Sequence, residues 1–118
     1  MKTAGNPDCL FCKIASGEIP SESVYSDELV YAFKDIDPKA PVHILVIPKE
    51  HIVSAAEISP ENSKVISRIF EVIAHLSKEL GLDRGFRVVT NCGGEGGQTV
   101  YHLHFHLMAG RPMKWPPG

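Results

Sequence analysis

Apolar positions recur in two periods along this chain, one helical and one extended, and together they predict most of its elements. From Val65 the residues Ile69, Val72, Ile73, Leu76 and Leu80 return at three- and four-residue spacing, which marks one buried helical stripe. Ser59-Pro60 supplies an N-cap and a first-turn proline, and Gly81 a C-terminal stop, so the spacing predicts one long helix from about Ser59 to Leu80. His75 lies beside the stripe and reads as a partly exposed surface residue. Leu10 to Ser16 predicts a short N-terminal helix closed at Gly17, before the Ile19-Pro20 break. Ser23 to Ser26 and Leu29 to Lys34 read as two strands joined by a polar turn, and His43 to Ile47 as a buried strand rich in branched residues. Phe86 to Asn91 and Tyr101 to Met108 predict two more strands, and Pro38 and Pro41 mark 35 to 41 as a loop. Strand runs with one long helix, lacking regular βα alternation, predict an α+β fold with a largely antiparallel five-stranded sheet.

The 118 residues predict a single domain, 1–118, with 1–8 a flexible N-terminus, and 43% hydrophobic residues leave room for a core without disulfide staples. A net charge of -2 offers no basic stripe for a nucleic-acid backbone, so no nucleic-acid partner is expected. Met1 to Asp8 has no apolar signal core, and the apolar run Ile44 to Ile47 is too short to cross a bilayer. With three cysteines and no secretion signal, the expectation is a cytoplasmic protein in a reducing compartment, without membrane attachment.

Candidate chemistry concentrates in Tyr101-His102-Leu103-His104-Phe105-His106-Leu107, which holds three of the six histidines. Strict alternation puts His102, His104 and His106 on one strand face, about 6.6 Å apart, and the large apolar residues on the other. Such a tract is a structural set, a metal tract or a reactive face, and the alternation favours a packed strand over a loose metal tract. An imidazole of pKa about 6.5 is roughly three-quarters neutral at pH 7, so it can attack phosphorus while charged neighbours hold phosphate. Directly before it, Gly93-Gly94-Glu95-Gly96-Gly97-Gln98-Thr99 reads either as a flexible hairpin connection or as a loop whose amides cradle an anion. Asp35 can accept hydrogen bonds from vicinal hydroxyls or cap the turn that follows it. Cys9-Leu10-Phe11-Cys12 is a redox pair, two small buried residues, or half of a zinc site that two histidines complete.

His102-Leu103-His104-Phe105-His106-Leu107-Met108 resembles the His-φ-His-φ-His-φ-φ signature of the histidine triad superfamily, φ being apolar. Phe33-Lys34-Asp35-Ile36, Ala40-Pro41, His43 to Lys49, Gly97-Gln98-Thr99-Val100 and Gly110-Arg111-Pro112 resemble it too, from about Cys9 to the end of the chain. The ending Trp115-Pro116-Pro117-Gly118 is similar to that of histidine triad nucleotide-binding proteins, the purine nucleoside phosphoramidase branch. The resemblance implies His104 as nucleophile, with His106, His102, Thr99 and His43 as further catalytic residues. It places Asn91, Gly97, Gln98, Thr99 and Val100 at the phosphate or leaving group and Asp35 on the ribose. It also makes Phe11, Ile14, Phe33 and Ile36 the base slot. Some microbial members imply structural zinc on Cys9, Cys12, His51 and His102, with no organic cofactor. Cys92 departs from the family pattern, and a thiol near a phosphate site is open to oxidation.

The function so implied is hydrolysis of nucleoside 5′-phosphoramidates or related nucleoside monophosphate esters and anhydrides, through a nucleotidyl-histidine, releasing AMP or GMP. Dinucleoside polyphosphate hydrolysis and non-catalytic nucleotide binding are the rivals. The branch also implies a homodimer with the sheet continued across it, and a tail, 110–118, that carries Trp115 to the neighbouring active site.

Overall fold

The structure, a computed structural model, describes residues 6–118. Five strands, β1 (Ser23–Ser26), β2 (Val30–Lys34), β3 (Val42–Pro48), β4 (Phe86–Val89) and β5 (Phe105–Ala109), form one sheet. Their order is β1-β2-β3-β5-β4, and every neighbouring pair is antiparallel. Helix α2 (Ser63–Glu79) covers one face and the short helix α1 (Leu10–Ala15) the other. The α+β fold, the antiparallel five-stranded sheet and the two helices are therefore as the sequence predicts.

Side-chain alternation along β3 feeds both faces: Ile44 and Val46 enter the α2 core, Leu45 and Ile47 the α1 core. Of the predicted stripe, Val65, Ile69, Val72, Ile73 and Leu76 form the buried face of α2, each contributing about 2 kcal/mol by burial, whereas Leu80, at the C-cap, is exposed. Gly81 ends the helix at φ +68, with Gly81 N–H on the Lys78 carbonyl (3.2 Å) and Leu82 N–H on that of Ser77 (2.8 Å). This is the paired closure that a left-handed glycine permits.

Three boundaries differ from expectation by two residues or more. Helix α2 begins at Ser63, four residues after the predicted Ser59 cap. The Asn62 side chain accepts the Ser59 N–H (2.8 Å) and donates to the Glu57 carbonyl (3.0 Å), holding 59–62 as a separate tight turn. The histidine-bearing strand starts only at Phe105. Before it the chain leaves the ladder, because Leu103 N–H bonds the Ile52 carbonyl at 2.6 Å. At the matching end of β3, Pro48 has no N–H to give, and its carbonyl is taken by His102 Nε2 at 2.8 Å. β4 likewise stops at Val89, two residues early, where Thr90 turns its hydroxyl to the His104 carbonyl at 2.8 Å. Of the segment expected to be flexible, 1–5 lie outside the described residues; Asn6 to Asp8 form a turn, with Cys9 N–H on the Asn6 carbonyl at 3.0 Å.

Candidate active site and metal centre

The alternation survives the shortened strand. Leu103, Phe105 and Leu107 enter the α2 core, while His102 and His104 are buried on the other side and His106 half-buried. His104 packs edge-on against Phe11 and His106, with ring centroids 5.0 and 5.1 Å away. His43 on β3 joins them, its ring 5.2 Å from that of His106, since antiparallel pairing sets Leu45 opposite His106 and His43 two residues further along the same face.

Backbone groups decide which nitrogens in this cluster carry protons. Burial lowers the basicity of His43 and His104 below the ordinary imidazole value, and that of His106, beside both, to about 4, so all three are neutral at pH 7. His104 Nδ1 lies 2.7 Å from the His102 carbonyl, which can only accept. The proton therefore sits on Nδ1, and Nε2 presents a bare lone pair. His43 Nδ1 accepts the Lys39 backbone N–H at 2.9 Å, so its proton is on Nε2. That N–H reaches His106 Nδ1 at 2.9 Å, with an Asp35 carboxylate oxygen at 3.4 Å. His106 Nδ1 thus accepts, and its own proton is on Nε2. One nitrogen with a free lone pair and one hydrogen-bond donor stand on adjacent rings, a pairing able to attack a phosphorus centre and hold one of its oxygens.

Asp35, His43 and His106 bring three ligand atoms within 4.8 Å of one another. A cation there would have to displace the proton that the Lys39 amide keeps on His43 Nε2, so the group is a proton-ordered cluster and not a metal cradle. Cys9, Cys12, His51 and His102 are different. Their ligand atoms also lie within 4.8 Å, and His102 Nδ1 is 3.3 Å from Cys9 Sγ and 3.4 Å from Cys12 Sγ, with His51 Nδ1 3.4 Å from Cys12 Sγ. Metal bonds of about 2.3 Å to sulfur and about 2.0 Å to nitrogen at a tetrahedral angle put such atoms roughly 3.6 Å apart, so the four fit one small cation. His102 Nε2 donates to the Pro48 carbonyl, leaving Nδ1 free to ligate, the support that ligating histidines use. Burial pushes the Cys12 thiol up to about 11; a bound cation reverses this, because the thiolate is the ligand.

The glycine loop is laced from within. Gln98, buried, donates through Nε2 to the Val53 (2.7 Å) and Val100 (3.1 Å) carbonyls and accepts the Gly93 N–H (2.9 Å) through Oε1. Both amide hydrogens are committed, so its carboxamide shapes the loop. Gly96 is needed there, since a Cβ would meet the Cys92 carbonyl at 2.3 Å. The Asn91 carboxamide flanks Gly97. Thr99 lines an open recess of about 510 Å³ with His51, Val100 and Tyr101. Asp35 is partly covered and does cap its turn, Oδ1 accepting the Asp37 N–H at 2.8 Å while Oδ2 faces His43.

Phe11, Ile14 and Phe33 are buried in the α1 core, whereas Ile36 is 99% exposed at the rim. Trp115 is 82% exposed and meets only the Arg87 guanidinium, 6.0 Å from its ring, among the described residues' aromatic and cationic contacts. Cys92 is exposed, its thiol directed at Ser54 Oγ, 3.4 Å away. His75, as expected, lies at the surface beside Glu79. Thr90 and the Lys39 amide, which hold His104 and His43, carry no signal in the sequence, because one works through another residue's carbonyl and the other through its own backbone.

A family model described as HIT domain matches residues 16–113. An uncharacterized HIT-like protein of Synechococcus elongatus is 47% identical over 111 residues, 94% of this chain and 97% of that protein. A 14 kDa zinc-binding protein of Brassica juncea is 46% identical over 113 residues, 94% of this chain and all of its own length, 100%. The crystal structure of a HIT family hydrolase from Legionella pneumophila matches the fold with a TM-score of 0.92 at 46% identity, covering 94% of this chain and 100% of that one. No helix among the described residues is long and apolar enough to cross a membrane.

Proposed function

The chain belongs to the HIT domain family, and we propose that it is a nucleotide-binding hydrolase that cleaves nucleoside 5′-phosphoramidates, or related nucleoside monophosphate esters and anhydrides. The observation that carries this reading is the bond from His104 Nδ1 to the His102 carbonyl at 2.7 Å. It leaves Nε2 as a neutral nucleophile and stabilises the positive charge that the ring acquires on attack. His104 Nε2 forms a bond to the α-phosphorus, the phosphorus–nitrogen bond to the amine breaks, and the amine leaves with a proton supplied through Thr99 or His43. Water then attacks the same phosphorus and returns a proton along the same route, the bond to His104 breaks, and AMP or GMP is released. The His106 Nε2–H and the loop amides hold the phosphate oxygens through both steps. Brief incubation with adenosine phosphoramidate, followed by intact-mass spectrometry, should show one added adenylyl group; rapid turnover with no such adduct in quenched samples counts against the covalent route.

Asp35, at the rim, holds the ribose. Asp35→Asn should weaken adenosine monophosphate about tenfold, the scale of a lost charged hydrogen bond, and leave a 2′,3′-dideoxy analogue within about twofold. Equal losses in calorimetric titrations of both ligands would remove Asp35 from the ribose.

Zinc on Cys9, Cys12, His51 and His102 completes the reading, supported by the fit of the four donors and by the zinc-binding relative. When bound, the ion supplies structural cross-linking, since four protein ligands leave no open position for water. Ligation needs both thiols reduced, which supports a cytoplasmic setting. Exposure of Trp115 supports a homodimer in which it covers the partner's nucleotide pocket. Deleting Trp115 to Gly118 should change the ranking of amine leaving groups, and a sedimenting monomer would refute the arrangement.

A further inference from the structure

Proton order in the histidine cluster starts outside it, at the peptide N–H of Lys39. The residue lies in the loop between β2 and β3, and its ammonium is spent locally on Asp37, 2.6 Å away. Its carbonyl is gripped from the tail: Arg111 donates to it through Nε at 3.2 Å and Nη2 at 2.9 Å, while Nη1 donates to the Pro112 carbonyl at 3.1 Å. The sheet register brings the two segments together, since Val42, which opens β3, pairs with Ala109, which closes β5. Gly110 then turns at φ +98, and a Cβ there would meet Pro41 Cβ at 2.8 Å, so only glycine lets the tail pass this close beneath the loop.

We propose that Arg111 is a positioning residue for the histidine cluster: by clamping the Lys39 carbonyl it keeps the Lys39 N–H on His43 Nδ1 and so fixes which nitrogen of His43, and then of His106, carries the proton. This inference rests on the nucleotidyl-transfer reading of the triad, because it explains why His106 donates. With the loop unclamped, the Asp35 carboxylate, 3.4 Å from His43 Nε2, is what still favours a proton there, and part of the population can carry it on Nδ1 and turn a bare Nε2 towards His106. His106 Nδ1 must then take the proton, its Nε2 becomes an acceptor, and it repels a phosphate oxygen instead of binding it. A residue that touches no substrate thereby sets the polarity of one that does.

Long-range proton–nitrogen NMR on the full-length, nitrogen-15-labelled protein reads the tautomers directly. In the unaltered chain His43 and His106 should both be Nε2–H forms. Arg111→Ala should give a mixture at both rings and about a tenfold lower kcat on adenosine phosphoramidate, with KM within about twofold. Arg111→Lys keeps a donor for the Lys39 carbonyl and should restore most of the tautomer order and rate. Arg87→Ala removes a different tail anchor, the bond from Nη2 to the Lys114 carbonyl at 2.8 Å, and should leave both tautomers unchanged. Unaltered tautomers in Arg111→Ala, or an equal shift in Arg87→Ala, would overturn the proposal. The NMR readout decides the positioning role without turnover, whereas absence of an adenylyl adduct in the unaltered protein strikes only at the hydrolytic reading.

Discussion

Replacing His104 with alanine or asparagine is expected to abolish the adenylyl adduct and to lower turnover on the order of 10⁴-fold or more, the scale at which a covalent nucleophile's removal leaves only binding and charge stabilisation. Nucleoside monophosphate binding should change by no more than a few-fold, because the loop amides, His106 and Asp35 stay in place. Asparagine tests the assignment more sharply, since its carboxamide can still donate to the His102 carbonyl but has no lone pair able to attack. Rapid-quench mass spectrometry measures the adduct and calorimetry the binding; turnover near the unaltered rate in either variant would sink the mechanism. Burial also fixes the pH dependence. His104 is held below the ordinary imidazole value of 6.5 and His106 at about 4, so both stay neutral as pH falls through 6.5. Activity should therefore persist as pH falls below the ordinary imidazole value and fail only as the medium approaches the lowered folded values, the reverse of a site that needs a charged imidazole.

Much of this site is legible in the sequence because alternation is a geometric fact about an extended chain. His102, His104 and His106 must share a face whether or not the ladder reaches all of them, and they share it although β5 begins only at Phe105. The helical stripe was equally plain, whereas its start was not: Ser59-Pro60 has the right residue types, but Asn62 captures Ser59 for a turn of its own. What no residue pattern reveals is the backbone's share. The His102 and Pro48 carbonyls and the Lys39 amide set the tautomers of His104, His102 and His43, and every residue type but proline carries the same N–H and carbonyl. Gln98 is a related case. The sequence puts it at the end of the glycine-rich loop, and only the fold shows both amide hydrogens spent on Val53 and Val100.

Zinc removal should act mainly on stability. The Cys9→Ser, Cys12→Ser double variant is expected to lose its metal, where elemental analysis of the unaltered protein finds about one zinc per chain, and to melt roughly 15 °C lower. That figure follows from free zinc at about 1,000 times its dissociation constant, which contributes about 4 kcal/mol, and from about 4 °C per kcal/mol for a chain of this size. Stoichiometric zinc in the double variant would refute the ligand set, and a melting temperature unchanged by chelation would refute the structural role. The effect on chemistry should be smaller, and its route is specific. Zinc would grip His102 through Nδ1 while the Pro48 carbonyl holds Nε2, and the same residue's carbonyl anchors His104 Nδ1. Loss of the metal loosens the ring, but the carbonyl is also held in place by the Leu103 N–H bond to Ile52 that follows it. At low temperature, where the fold stays intact, chelated protein should therefore keep most of its nucleotidylation rate, and the loss of activity on warming should track the lowered melting curve.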